Sequence, residues 1–372
     1  MRRSLTAFLS VVALVGFLGL VGNGPASADP GGRRHEPVVS VFATGLNNPR
    51  GLTFGPDGNL YVAEGGLGGS NSTVGLCQQA AGAAAPYTGS TNDPLLGGRI
   101  SRVGRNGTVT TVVNALPSSQ TSAALGSLVS GVSSVAFIGH QLYALLAGAG
   151  CSHGVPTVPN GIIKVGRGGT WKLIANLSAF QAEHPVANPD PEDFEPDGTW
   201  YSMLAIGGTL YPMDSNHGEL DRVTQGSKIS RVIDISASVG HVVPTALVRR
   251  HDTTFIANLG LFAPTDSAGD EHVYQLSHHG TLKTYATGVE KVLGLALRGD
   301  TLYALEMSTA GGGPIPGTGA IVRVNPHGPS DTVVSGLNFP TGMTVGPDSA
   351  FYVSNQGFGF PAGAGQILRI RL

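Results

Sequence analysis

Charge is scarce in this chain. Asp, Glu, Lys and Arg together make up 12% of its 372 residues, about half the usual share. The net charge is −2 and no basic stripe is present, so no nucleic-acid partner is expected. Cysteine is almost absent. Cys77 and Cys151 are the only two, and a separation of 74 residues excludes a C-x-x-C metal or redox motif. No G-x-S-x-G, H-E-x-x-H, P-loop or dinucleotide fingerprint occurs, which removes the commonest readable routes to hydrolysis and nucleotide binding. The 11 histidines fall at no metal-ligand spacing. His278-His279 reads as an exposed turn, while His217 and His241 are candidate acids or bases.

Long apolar runs are also missing, except at the start. Arg2 and Arg3 precede an apolar run from Phe8 to Val21, and Ala26-Ser27-Ala28 gives a small-x-small cleavage pattern. Residues 1–28 therefore read as a secretory signal peptide, 29–37 as a flexible mature N-terminus and 38–372 as one domain. The expected location is extracellular, with no membrane attachment after cleavage. Outside the cytoplasm, Cys77 and Cys151 are more readily a disulfide than two unrelated buried thiols. A disordered chain is excluded by the 41% of apolar residues.

What the chain has in excess is glycine, 56 residues, about twice the usual share. That suits a turn-dense β protein, and an internal repeat supports it. "GPDGNLYVAE" has partners in "GHQLYALLAG", "GGTLYPMDSN", "RHDTTFIANLG", "GDTLYALEMS" and "DSAFYVSNQG", whose aligned aromatics are Tyr61, Tyr143, Tyr211, Phe255, Tyr303 and Tyr352. The later spacings of 44, 48 and 49 residues are the size of a four-stranded propeller blade, and the earlier ones carry insertions. Third strands read as "GRISRV", "GIIKV", "SKISRV", "EHVYQL", "AIVRV" and "QILRI". The last unit lacks a fourth strand, and "PVVSVFATGLNNPRG" near the start matches "SDTVVSGLNFPTG" near the end. The expectation is an all-β, six-bladed propeller of four-stranded blades, closed by Val38–Phe42 completing the last blade. This solves the edge-strand problem.

Three residues after each aligned aromatic stand Glu64, Leu146, Asp214, Asn258, Glu306 and Asn355. Five are carboxylates or amides ending apolar strands, and the fold would bring strand ends together at one channel mouth. Glu64, Asp214, Asn258, Glu306 and Asn355 thus form a candidate oxygen-ligand ring, for which Ca²⁺ is the natural cation. The alternative is that they cap strand ends and bond backbone and water. Arg50, at the start of the first inner strand, would enter the same ring and either pair with Glu64 or Glu306 or hold an anion. Asn216 joins through "DSNHGELD", a partial calcium-loop pattern with Gln225 at its twelfth position. The loop Asn188–Gly198 is acidic and either solvated or part of the mouth. Cys77 and Cys151 fall in loops on the same face of adjacent blades, where they can meet.

"GLNNPRGLTFGPDGNLYVAEGG", the Cys77 loop and "GAGCSHG" resemble the ScyD/ScyE family of secreted bacterial proteins, with NHL-like propeller repeats. The resemblance spans about Val38 to Leu372 and implies fold and export rather than a reaction. Gluconolactonase-like hydrolases share similar propellers and hold a divalent metal with glutamate, asparagine and aspartate, but Arg50 stands where their first glutamate would be. The expected function is a monomeric, secreted propeller binding a small molecule or protein at one mouth, around a Ca²⁺. A metal-assisted lactonase is the alternative, and a quinoprotein-like oxidoreductase the third reading.

Overall fold

The aligned "GPDG" and "GPDS" segments show how two of the units turn from the first strand into the second. Gly55 to Gly58 closes a turn in which the Asp57 carboxylate accepts the Asn59 N–H at 3.1 Å. Gly58 sits at φ +73° and Ser349, its counterpart, at φ +60°, a region open to glycine and costly for most residues. The second strands are apolar, and three of their aromatics pack edge-on against the neighbouring unit, while Phe255 meets Tyr285 of its own unit. Tyr61 meets Phe137 with ring centroids 4.9 Å apart, Tyr303 meets Phe351 at 4.9 Å, and Tyr352 meets Phe54 at 5.0 Å. Such pairs add about 0.5–1.5 kcal/mol each beyond area burial.

The computed structural model describes residues 36–82, 85–121, 128–260, 270–311 and 313–372. The expected signal peptide and residues 29–35 lie outside them. The described chain is all-β, with six four-stranded antiparallel sheets and one small three-stranded sheet. Sheet 1 begins with the inner strand Pro49–Phe54, sheet 2 with Val132–Ile138, sheet 3 with Trp200–Ile206, sheet 4 with Pro244–Arg250, sheet 5 with Val292–Arg298 and sheet 6 with Gly342–Val345. The outer strand of sheet 6 is Val38–Leu46, paired antiparallel with Gly365–Arg371. Buried apolar clusters fill each seam between consecutive sheets, including one between sheets 6 and 1. The inner strands also touch in succession, from sheet 1 through sheet 6 and back to sheet 1.

One strand differs from the sequence reading. The third strand of sheet 3 is Glu219–Thr224, and Ile229–Asp234 is the fourth. "SKISRV" was the expected third strand because its alternation matches "GRISRV". The true third strand buries Glu219 and Asp221, which breaks the apolar alternation that marks a strand.

Cys77 and Cys151 are disulfide-bonded, with Cα atoms 6.3 Å apart. Their loops rise from sheets 1 and 2 beside the small sheet of Thr88–Ser90, Ser118–Gln120 and Val129–Ser130. Among the described residues no helix is long and apolar enough to cross a membrane.

Candidate ligand site at the channel mouth

The inner strands of all six sheets line a central cavity of about 530 Å³. Among the described residues, Tyr201 and Arg249 are its titratable lining groups. Strand register aligns Pro49 with Glu64, Val132 with Leu146, Trp200 with Asp214, Pro244 with Asn258 and Val292 with Glu306. The next residue on each inner strand therefore occupies one repeated position: Arg50, Ser133, Tyr201, Thr245, Leu293 and, in sheet 6, Thr341. Hydroxyls there stitch sheets together. Ser133 Oγ donates to Trp200 O at 2.7 Å, Thr341 Oγ1 to Pro49 O at 2.5 Å, and Thr245 Oγ1 to Val292 O.

Arg50 fills this position in sheet 1. It is 7% exposed. Its guanidinium donates from Nη2 to Val129 O at 2.6 Å, and from Nη1 to Gly357 O and Pro49 O. Among the described residues no carboxylate pairs with it, and burial lowers its pKa from the ordinary arginine value. Of its five N–H donors, the three carbonyls account for three. Across the ring, Tyr201 Oη donates to Thr341 O at 2.8 Å, and burial pushes its pKa to about 12. Beside Tyr201 lies an apolar cluster of Leu293, Met307 and Phe339, joined by partly buried Leu259, Phe358 and Phe360. The Phe339 ring meets Phe358 edge-on at 5.5 Å.

The five polar strand ends do other work. Glu64 accepts from Arg99 at 2.7 Å, from Ser101 Oγ at 2.5 Å and from Asn47 N at 2.7 Å. Asp214 Oδ1 accepts Thr199 N at 3.1 Å and Asn216 N at 2.9 Å, while Oδ2 bonds His217 Nδ1 at 2.8 Å. Asn258 accepts His272 N at 2.6 Å, Glu306 accepts Glu290 N at 2.9 Å, and Asn355 accepts Asn338 N at 2.9 Å. In four of the five sheets the bonded N–H lies just before that sheet's own inner strand, so the side chain clips the incoming loop. Sheet 4 uses the N–H before its third strand instead. Neither Arg50 nor any of the five lines the central cavity, whereas Tyr201, Leu293 and Thr341 do. Among the described residues no three His, Cys, Asp or Glu groups are disposed to hold a metal ion. The oxygens of the expected Ca²⁺ ring instead accept bonds within their own sheets. Arg50 pairs with neither Glu64 nor Glu306. Asn216 is buried and accepts Glu195 N at 2.9 Å.

Sheet 3 gathers further titratable groups around the expected candidates Asp214 and His217. Asp214 is driven up by burial but held below its usual range by the His217 charge and hydrogen bonds. His217 is 1% exposed and sits beside Phe194. Burial lowers its pKa, but Asp214 outweighs that and raises it. Glu219 and Asp221 are both 0% exposed. Burial raises Glu219 to about 8, with the charges of Asp221 and Asp214 adding and Arg231 opposing. Burial also raises Asp221 to about 7, against Arg231. The acidic loop is partly interior. Glu195 accepts from Tyr87 at 2.9 Å and lies 3.3 Å from His153, while Asp197 accepts from Ser152 Oγ at 2.6 Å. Ser152 and His153 are 0% exposed, so this array ties the Cys151 loop down and offers no reachable nucleophile. His241 lies 3.8 Å from Asp193 and 4.0 Å from Asp190. His278 and His279 are exposed.

No protein-family model matches the chain, and no curated protein matches it in sequence. Solved structures do match in shape. A Xanthomonas campestris gluconolactonase is 10% identical with a TM-score of 0.54, covering 90% of this chain and 90% of that one. A putative glucose-dehydrogenase-type oxidoreductase from Thermus thermophilus is 16% identical with a TM-score of 0.54, covering 90% of this chain and all of that one. A luciferin-regenerating enzyme is 10% identical with a TM-score of 0.52, covering 90% and 95%. At these identities the likeness carries the fold alone, a β-propeller.

Proposed function

We propose that this chain is an exported, ScyD/ScyE-like, six-bladed β-propeller, closed by its N-terminal strand, that binds a small anionic ligand at the channel mouth around Arg50. The observation carrying this reading is a buried guanidinium with no carboxylate partner among the described residues. Arginine stays charged in proteins, and a buried charge calls for compensation. Carbonyl dipoles supply part of it, and two donors remain for an anion. The neighbouring cluster of Phe339, Phe358, Phe360 and Tyr201 offers aromatic and apolar surface to the rest of the ligand. The disulfide fits an oxidising compartment.

The lactonase alternative draws on the shared fold. It needs a divalent metal held by glutamate, asparagine and aspartate; Arg50 stands at the first of those positions, and Glu64, Asp214 and Asn258, which could substitute, accept bonds within their own sheets. Engaged in this way, that donor set does not fit a divalent ion.

Calorimetric titration with benzoate and benzamide tests the binding reading. Benzoate is expected to bind and raise the melting midpoint, and benzamide to do neither. Arg50→Met should weaken benzoate at least about tenfold, the loss of one charge-assisted hydrogen bond. Tyr201→Phe, which leaves Arg50 in place, should retain the preference for the anion. Equal binding of acid and amide, or unchanged binding by Arg50→Met, would count against the site. EDTA-sensitive hydrolysis of gluconolactone would favour the alternative.

A further inference from the structure

Away from the mouth, Asp221 is 0% exposed, and among the described residues neither of its carboxyl oxygens has a hydrogen-bond partner. Glu219, two residues earlier, is equally buried. Its Oε2 accepts from Arg231 Nε, and its Oε1 has no partner. The two-residue period puts both carboxyls on one face of the strand. Val223 shares that face and packs in the seam with Tyr143, Leu145 and Ile162 of sheet 2. Two carboxyl groups therefore point into an apolar seam with one guanidinium beside them and the His217 imidazole, held by Asp214, near enough to feel the Glu219 charge.

The charged groups around them come from each neighbouring element. The second strand contributes Asp214, already engaged by His217. The fourth strand contributes Arg231, whose other nitrogens donate to His184 O and Pro185 O at the entrance of the acidic loop. That loop contributes Glu195, close enough to act on His217. Among the described residues no cation of sheet 2 or of the helix Leu177–Glu183 pairs with either carboxyl. Two ionised carboxylates here would face each other with too few donors, whereas a carboxylic acid supplies the missing one. A metal in place of the proton lacks support, since among the described residues no group of three ligating side chains is suitably disposed.

We propose that Glu219 and Asp221 together hold a proton across neutral pH and release it to solvent as the pH rises, making the seam between sheets 2 and 3 a pH-sensitive joint. A buried acid that keeps its proton above its unfolded range stabilises the fold fully at low pH, and that stability is lost as pH rises through the folded range. Ionisation adds negative charge beside Arg231, the residue that also holds the acidic loop, so the joint and the loop respond together.

Melts of the mature protein and of Asp221→Asn, in EDTA between pH 5 and 9, test this. The wild-type midpoint should fall more steeply than the variant's from pH 5 up to the folded range of about 7 to 8, with the variant the more stable at pH 8.5. Unfolding in guanidinium chloride at pH 6.5 should release about one more proton from wild type than from the variant. Parallel melting curves with equal proton release would overturn the proposal. So would a wild-type midpoint that drops on adding EDTA and recovers with Ca²⁺, which would place a cation there. If Asp221→Asn does not fold, infrared spectroscopy decides. In the Glu306→Gln background, which removes the other raised carboxyl, a protonated-carboxyl band at pH 6.5 that vanishes by pH 9 supports the proposal, and its absence at pH 6.5 refutes it.

Discussion

Sheets 1 and 3 solve the same structural problem with opposite chemistry. Register places Glu64 opposite Arg99 in sheet 1 and Asp214 opposite Glu219 in sheet 3. Two residues further along the third strand come Ser101 and Asp221, so the three positions correspond. In sheet 1 they hold one carboxylate, one guanidinium and one hydroxyl, and both Glu64 oxygens accept two hydrogen bonds. In sheet 3 they hold three carboxyl groups, and three of the six oxygens find no donor among the described residues. The scaffold asks only for an acceptor at the end of the second strand. What stands beside that acceptor is free to vary, and sheet 3 uses the freedom to store a titratable charge.

Breaking the sheet 1 arrangement should have the largest effect. Glu64→Ala strands Arg99 and leaves Ser101 and Asn47 N without their acceptor, at a cost of roughly 3–5 kcal/mol by analogy with other broken buried pairs. Urea denaturation at pH 7 measures it. Asp221→Asn in sheet 3 should show the contrary sign at pH 8.5, gaining rather than losing stability. If both substitutions destabilise equally at that pH, the contrast between the sheets is lost.

Sheet 5 sharpens the comparison at smaller scale. Among the described residues no arginine fork closes on Glu306 as Arg99 closes on Glu64, and burial with the charges of Glu290 and Glu271 raises it to about 7, its bond from Glu290 N opposing. Its stabilising contribution is therefore present below the unfolded glutamate range and fades as pH climbs through about 7. Glu306→Gln keeps an acceptor for Glu290 N and removes the charge. Relative to wild type it should gain roughly 1–2 kcal/mol between pH 5 and pH 8.5, seen as a flatter midpoint–pH curve. A variant curve parallel to wild type would show that the Glu306 charge does not matter.

The repeat made most of the architecture legible. Aromatics at a blade-like spacing mark the second strands, and the seam-packed rings explain why they recur. Sheet 3 was harder because inward-facing Glu219 and Asp221 mimic a polar turn, while Ile229–Asp234 imitates a third strand. The polar strand ends were visible as a pattern but not in their roles. Their partners are backbone N–H groups, which carry no residue-type signal. The surroundings of Arg50 were illegible for the same reason, since its acceptors are carbonyls of Val129 and Gly357, far away in sequence. Tyr201 was within reach, because the repeat puts it at the Arg50 position.

The central claim is that the recurring carboxylates and amides serve their own sheets and leave the mouth to Arg50. A thermal melt of the mature protein at pH 7, in EDTA and then in millimolar Ca²⁺, tests it most directly. The account predicts one midpoint in both conditions. A midpoint that rises with Ca²⁺, and fails to rise in Asp214→Asn or Glu306→Gln, would contradict it and restore a metal to the ring.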